Sequence, residues 1–255
     1  ARFAIRRVRP GGGSALPGLL LSKIAPKLLA KTLRSFRQGL VVITGSAGKS
    51  TTTKMVVAIA RAHGLEVFTN PSTANIRQGF FSAIIEKSNL FGRIPGDIAI
   101  LEMDEGHAES ITAEVAPRIV TLLNVLEDQL DRFVDPALVR EKLAKVAARS
   151  TQTVLMNADD QNILLIDKAE QLAEKSFFGI ASSVRGNDDL GVAPTYLQEL
   201  PRPKVSAEVA SLNGKRCAVH IGDREAIFDL PNRGMHYALD AVAALSTAAE
   251  ILGDQ

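Results

Sequence analysis

Short runs of apolar, often β-branched residues alternate with longer stretches of helical pattern from residue 39 onward. The apolar runs lie at 40–44, 65–69, 97–103, 118–124 and 152–157. The helical patterns lie between them, at 49–62, 75–87 and 136–148. Buried parallel strands are near-continuous apolar segments joined by helices. The order therefore predicts an α/β fold, with a mostly parallel sheet flanked by helices.

The segment after residue 180 differs in composition and pattern from the preceding part of the chain. Polar and proline-rich residues precede three further β-type runs within about 204–230, and Asn213-Gly214 marks the first turn between them. These runs predict a small antiparallel β meander. An alanine-rich helical pattern follows at 234–252. We therefore expect residues 39–255 to form one α/β domain, with residues 1–38 as an N-terminal extension.

The extension begins with arginines and holds a short apolar run at 19–21, which Lys23 and Lys27 interrupt. Its apolar residues Ile24, Leu28, Leu29 and Leu33 have helical spacing, with basic residues between them. This pattern predicts a basic amphipathic helix that packs on the body or lies on a membrane surface, and we favour packing. No stretch reaches the roughly 18 apolar residues of a membrane-spanning helix, so we expect a soluble chain.

Composition excludes several classes of protein. The chain carries 30 Lys and Arg against 28 Asp and Glu, a balance that gives no indication of a nucleic-acid partner. Cys217 is the only cysteine, which excludes an internal disulfide framework and a zinc site built on several thiolates. A single thiol is typical of a reducing cytoplasm.

The strongest motif is TGSAGKSTTT, which begins at Thr44 between a predicted strand and a predicted helix. Glycines at such a turn let backbone N–H groups face phosphate oxygens, and the helix N-terminus adds partial positive charge. Lys49 would reach the terminal phosphates, and the Ser50 hydroxyl would hold Mg²⁺. We call residues 44–51 the phosphate loop: Thr44, Gly45, Ser46, Ala47, Gly48, Lys49, Ser50 and Thr51. The alternative is a glycine turn with an incidental lysine.

Polar residues follow three other predicted strands. Glu102 ends the third strand, where open α/β sheets place their ligands, and it is a candidate Mg²⁺ carboxylate. Asp104 and Glu105 come next, as further candidates or as a solvated acidic loop.

Two later segments repeat this arrangement. One begins at Asn124 and contains Asp128 and Asp131, which either line the sheet edge or cap the following helix. In the other, NADD at 157–160, Asp159 either binds ribose hydroxyls or caps a helix.

Taken in order, these motifs resemble the Mur ligase superfamily. Its loop T-G-x-x-G-K-[ST]-T, its strand-end glutamate, its N-x-x-x-D-x-L-D segment and its N-x-D-D segment all occur here. Within it, GGGSALPG before the first strand and Gln129, where amino-acid-adding members usually have histidine, are most similar to the MurT family.

The resemblance implies an ATP- and Mg²⁺-dependent amide ligase. A MurT-like subunit activates the glutamate of lipid II as an acyl phosphate, and a GatD-like glutamine amidotransferase supplies the ammonia that forms isoglutamine. The reaction takes place in the cytoplasm at the inner membrane face, where residues 1–38 would give a peripheral contact.

The resemblance also assigns residues. Lys49, Glu102 and Lys142 are catalytic, Lys142 as a lysine that can be carbamylated to bridge metals. Ser50 and Glu102 bind Mg²⁺. The nucleotide site adds Asn75, Asn157, Asp159 and His236 to the phosphate loop.

The sequence departs from the family in three ways. The four-cysteine zinc ribbon of MurT proteins is absent, so no zinc is predicted. Tyr237 and Asp240 replace two asparagines of the segment that holds the adenine. The sequence also stops before the family's C-terminal domain, so we expect the chain alone to bind nucleotide and turn over poorly. Two alternatives stay open: an amino-acid-adding Mur ligase or folylpolyglutamate synthase-like enzyme, and a non-catalytic nucleotide-binding module.

Overall fold

The computed structural model describes residues 15–70, 77–89, 94–126, 135–169, 172, 174–185 and 200–253. The strands are β1 (Leu40–Thr44), β2 (Val67–Phe68), β3 (Ile98–Glu102), β4 (Ile119–Leu122), β5 (Thr153–Asn157), β6 (Lys175–Ile180), β7 (Ala207–Asn213), β8 (Arg216–Ile221) and β9 (Arg224–Asp229). The helices are α1 (Ala15–Ile24), α2 (Leu28–Leu33), α3 (Lys49–Ala62), α4 (Arg77–Lys87), α5 (Glu105–Glu114), α6 (Pro136–Ala147), α7 (Gln161–Ala169) and α8 (Met235–Leu252).

The nine described strands form one sheet, in the order β2-β3-β1-β4-β5-β6-β7-β8-β9. Every pairing from β2 to β7 is parallel, and β7, β8 and β9 pair antiparallel. The predicted α/β class and the antiparallel strands near the C-terminus are therefore confirmed. Because β1 lies between β3 and β4, the carboxyl ends of these strands meet at one edge of the sheet.

Helices cover both faces of the sheet, and each face has its own apolar core. On one face, helices α2, α4, α5, α6 and α7 bury side chains such as Leu29, Phe80 and Leu143. On the other face, α3 and α8 bury Val56 and Val242. The central strands are buried along their whole length, because alternate residues point into the two cores.

The structure corrects several element predictions. The expected strand at 65–69 is reduced to two residues at the sheet edge, Val67–Phe68, because only these pair with β3. Helix α5 follows Glu102, where a solvated acidic loop was one of two alternatives, and neither α5 nor α7 was predicted. α5 has few apolar residues, and the apolar run of α7, at 163–166, is too short to distinguish a helix from a strand, so the sequence pattern gave a weak signal for both.

The basic amphipathic segment forms two helices rather than one. α1 and α2 are separated by Ala25, Pro26 and Lys27, where proline cannot supply a helical N–H. Leu29 and Leu33 of α2 are each only 1% exposed, which shows packing on the body. Burial of each such leucine contributes about 1.5–3 kcal/mol. The division at residue 38 stays a prediction.

Candidate functional site

The phosphate loop connects β1 to α3, as the motif predicts. Gly45 has φ 139° and Gly48 has φ 83°, a range that favours glycine. A Cβ on Gly45 would lie 2.9 Å from both the backbone nitrogen and oxygen of Asn124, and one on Gly48 would collide with the Asp240 carboxyl group. Both glycines are therefore required by backbone conformation and by close packing.

Asn124, which follows β4, holds the phosphate loop in place. Its Oδ1 accepts a hydrogen bond from the Ala47 N–H at 2.8 Å, and its Nδ2 donates to the Ala47 oxygen at 3.1 Å. Its backbone oxygen accepts from the Ser46 N–H at 3.0 Å. The rest of the predicted acidic segment, with Asp128, Gln129 and Asp131, lies outside the described residues.

Lys49 lies in the first turn of α3 and turns back over the loop. Its Nζ donates hydrogen bonds to the carbonyl oxygens of Gly45 and Ser46, and lies 3.8 Å from Glu105 Oε1. Burial raises the pKa of Glu105, and the nearby Lys49 opposes that shift. Glu105 is thus a buried partner of the phosphate-loop lysine, which the sequence did not distinguish from a solvated loop residue. Asp104 caps α5 by accepting from the Gly106 N–H at 3.2 Å.

Ser50 and Glu102 meet at the end of the loop. The Ser50 hydroxyl donates to Glu102 Oε1 at 2.8 Å, and Glu102 is only 3% exposed. Asn70, which sequence reasoning missed, fixes Glu102 from β2 with two hydrogen bonds between its amide group and the Glu102 backbone, of 3.0 and 3.1 Å. A hydroxyl and a carboxylate oxygen this close fit the oxygen ligand set of Mg²⁺.

A cavity of about 380 Å³ opens beside this pair. Ser50 and Glu102 lie at one end of it and Arg61 at the other, with α3 as one wall. The hydroxyls of Thr53 and Thr69, which line it, are buried and have no hydrogen-bond partner within the described part of the chain. These two hydroxyls do not reach the cavity surface, so the accessible polar side chains that line it are those of Ser50, Lys54 and Arg61.

The NADD segment is ordered by its own hydrogen bonds. Asn157 donates to the Leu123 oxygen at 2.8 Å, which joins the ends of β5 and β4. Asp160 caps α7 and also accepts from the Val125 N–H at 2.9 Å, and burial raises its pKa to about 6.

Asp159 is 4% exposed at its side chain and is paired with Arg185 and Arg202. Its second oxygen accepts from the Ile180 N–H at 2.7 Å. A ribose hydroxyl would therefore be an additional donor to a carboxylate that is already bonded.

The N-terminus of α8 approaches the loop from the opposite side to Glu102. Asp240 is 8% exposed and adjoins Gly48, and burial raises its pKa from 3.8 to about 7. His236 lies one turn earlier, is exposed, and contacts the Tyr237 ring with centroids 4.3 Å apart. Asp240 is thus the α8 residue that directly contacts the loop.

Lys142 and Asn75 are the two predicted site residues that remain. Lys142 is on α6, with its Nζ 3.7 Å from the position of a Cβ on Gly106. This places its amine beside the first turn of α5, next to Glu105. Asn75 lies outside the described residues.

The comparisons with known proteins agree on one family. The profile of the Mur ligase middle domain matches residues 43–248. The MurT subunit of lipid II isoglutaminyl synthase (glutamine-hydrolyzing) from Streptococcus pneumoniae is 33% identical over 164 residues, 62% of this chain and 34% of that protein. The UDP-N-acetylmuramoylalanine–D-glutamate ligase of Aromatoleum aromaticum is 28% identical over 84% of this chain and 41% of its own length.

Among solved structures, the MurF ligase of Thermotoga maritima in complex with ADP has the same fold. The TM-score is 0.66 at 16% identity, and the match covers 93% of this chain and 50% of that one. The chain thus spans about a third to a half of the length of these three proteins.

Proposed function

The chain belongs to the Mur ligase middle-domain family, and we propose that it is the ATP-binding part of an amide ligase that acts on a peptidoglycan precursor. The observation that carries this proposal is the 2.8 Å contact of Ser50 with the buried Glu102, at the end of a loop that also presents Lys49. A hydroxyl, a carboxylate and a lysine on one phosphate loop are the groups that nucleoside triphosphate chemistry needs.

In this proposal the backbone N–H groups of the loop bind the phosphates, and Lys49 exchanges its contacts with loop carbonyls for phosphate oxygens. Ser50 and Glu102 would hold Mg²⁺, which neutralises charge on the β- and γ-phosphates when bound. Asn70 and Asn124 keep the carboxylate and the loop in position, so little reorganisation is needed on binding.

The acceptor reaches the γ-phosphate through the cavity between Glu102 and Arg61. A carboxylate oxygen of the acceptor forms a bond to the γ-phosphorus while the bond from that phosphorus to the bridging oxygen breaks, and ADP leaves. A nitrogen nucleophile then bonds to the acyl carbon, phosphate leaves with the acyl C–O bond electrons, and the nitrogen loses a proton. The exposed cationic side chains of Lys54 and Arg61 in the lining support an anionic acceptor in this cavity.

The finer form of the proposal is a MurT-like reaction. The acceptor is the glutamate of lipid II, the nucleophile is ammonia from a GatD-like amidotransferase, and the product is isoglutamine at the cytoplasmic face of the membrane. The similarity to a MurT subunit supports it, as do the sequence motifs outside the loop.

The remaining residue assignments belong to the same proposal. Asn75, Asn157, Asp159 and His236 contribute to the nucleotide site, and Lys142 acts as a carbamylated metal bridge. The position of the Lys142 amine beside α5 supports its assignment.

Calorimetric titration with MgATP tests the proposal. We expect binding by the chain and at least a tenfold loss in Lys49→Ala, because the lysine compensates phosphate charge. Lys204→Ala, an exposed lysine before β7, is the matched control and should bind as the parent does. Binding that survives Lys49→Ala unchanged would contradict the proposal.

A second candidate is an amino-acid-adding ligase, which the longer alignment with a D-glutamate ligase favours. Activity of the complete protein with ammonia and with amino acids separates the two candidates. Nucleotide binding without turnover under both conditions would leave the non-catalytic module.

A further inference from the structure

Positive charge is concentrated at the beginning of the chain. Residues 1–39 contain nine of the 30 Lys and Arg and none of the 28 Asp and Glu. The remaining residues are therefore net negative, although the chain as a whole is nearly balanced. Four of the nine lie before the described residues, and five lie on or next to α1 and α2.

α1 has one face against the body and one face in solvent. On the inner face, Gly18 lies so close to Gln78 and Ser82 of α4 that a Cβ would collide with them, and Leu21 packs against the core. On the outer face, Leu20 is 57% exposed and Ile24 is 73% exposed, one helical turn apart. Leu19 is also exposed, so three of the five exposed large apolar side chains of the described part lie on this helix.

The basic residues next to this face are available for a partner. Lys23, Lys27 and Lys31 are exposed and have no ion pair within the described residues. Lys23 follows Leu19 by four residues and Leu20 by three, so it lies on the same side of the helix as these two leucines. Arg37, in contrast, lies 3.6 Å from Asp97.

We propose that the outer face of α1, formed by Leu19, Leu20, Lys23 and Ile24, together with Lys27 just after the helix, is a docking surface for an anionic lipid membrane. An exposed apolar strip bordered by lysines matches the acyl and headgroup layers of such a surface. The partner of this face is a lipid membrane rather than free phosphate, because the largest exposed side chains of the face are aliphatic. None of the described helices is long and apolar enough to cross a membrane.

The position of α1 would bring a bound membrane close to the phosphate-loop side of the molecule. Gly18 of α1 lies against Gln78 at the start of α4, which follows β2 and therefore lies near the carboxyl edge of the sheet that carries the phosphate loop. A membrane bound there would hold a lipid-linked substrate on the side of the molecule where the loop opens. This consequence rests on the proposed function, but the membrane contact itself does not.

Flotation with vesicles tests the surface without requiring activity. We expect binding to phosphatidylcholine vesicles that contain phosphatidylglycerol, and little binding to phosphatidylcholine alone. Binding should weaken with added salt, because exposed charges are screened. Lys23→Glu with Lys27→Glu should weaken it about 25-fold or more, since each lysine near the surface contributes about fivefold.

Leu20→Ser with Ile24→Ser should also weaken vesicle binding, by about tenfold for each side chain that enters the lipid. Two variants are matched controls: Ile227→Ser on β9, which is 53% exposed, and Lys204→Glu with Lys215→Glu. Deleting residues 1–38 would be a poor test, because Leu29, Leu33 and Phe36 belong to the core.

Binding that the α1 variants leave unchanged, or no binding to anionic vesicles by the folded chain, would overturn the proposal. A dimer in light scattering that Leu20→Ser with Ile24→Ser converts to a monomer would also overturn it, since a second copy would then cover this face. MgATP titration of the same variants should match the parent chain, which separates failure of the membrane surface from failure of the ligase proposal.

Discussion

The carboxyl group of Asp240 lies against Gly48 of the phosphate loop, in surroundings that favour its protonated form. Burial raises its pKa from 3.8 to about 7, against a smaller lowering by Thr52. The folded state therefore binds a proton that the unfolded state releases between these two pH values. The resulting stabilisation is complete below about pH 4 and is lost as the pH rises through 7.

Asp240→Asn removes this titration, because an amide stays neutral in the same volume. We expect the variant to gain stability relative to the parent as the pH rises from 4 to 8, by about 2–4 kcal/mol over that range. Denaturant unfolding at several pH values measures it. Asp223→Asn, in the exposed turn before β9, is the control and should change the pH profile little.

The negative charge of ionised Asp240 also affects nucleotide binding by the phosphate loop. Ionised Asp240 would repel the phosphates that Gly48 helps to bind, so Asp240→Asn should tighten MgATP binding by about fivefold at pH 8 and leave it unchanged at pH 5. Equal tightening at both pH values would show that the amide acts through a new hydrogen bond rather than through charge.

Elements that are far apart in the chain meet at the loop, and β4 contributes through Asn124. We expect Asn124→Ala to weaken MgATP binding by up to about 30-fold, because two hydrogen bonds that order Ala47 are lost, each contributing about 1 kcal/mol. Calorimetry measures this loss. Asn232→Ala, on an exposed turn, should be neutral. If Asn124→Ala lowers the stability of the protein but leaves its ATP affinity unchanged, the phosphate loop does not need Asn124 to be ordered.

Features that lie within one short segment can be predicted from the sequence, whereas contacts between distant segments are predicted poorly. The phosphate loop is one short segment whose glycines, lysine and serine act where they stand, so its place after β1 could be predicted. Asn70 and Asn124 act through hydrogen bonds to backbone groups 32 and 77 residues away. An amide that follows a strand does not indicate in the sequence which group it will reach.

The prediction of helices and strands from the sequence has a similar limit. Strands buried on both faces are recognised as apolar runs, and the parallel sheet was predicted from them. Helix α5 was not, because its buried residues include Glu105 and Thr112 beside Ala108 and Ile111, which gives no apolar stripe.

At the scale of the whole molecule, Arg118 joins segments at the edge of the sheet opposite to the phosphate loop. Its guanidinium donates to Gln152 at 2.6 Å, to the Gln38 oxygen at 3.2 Å, and to the oxygens of Glu250 and Ile251 at the end of α8. One side chain thus connects the start of β1, the start of β5 and the last helix.

Arg118→Lys should lower the free energy of unfolding by about 2–3 kcal/mol, because an ammonium group cannot reach all of these acceptors. MgATP affinity at a temperature where the variant is folded should stay unchanged. Arg216→Lys, at an exposed pair 3.5 Å from Asp229, is the control and should cost less than about 1 kcal/mol. A similar loss in both variants would assign the effect to arginine chemistry in general.

Helix α8 covers strands β4 to β8 and also packs on α3, yet it is translated after all of them. On the ribosome, a nascent chain that has emerged as far as β9 has its phosphate loop and all nine described strands, but on this face of the sheet only β1, β2 and β3 are covered, by α3. Local segments can form as they emerge, whereas this face must wait for residues 235–252. The cover of β4 to β8 on this face, and the contact of Asp240 with Gly48, therefore form only after residues 235–252 have been made, and until then these strands expose apolar surface that chaperones can bind.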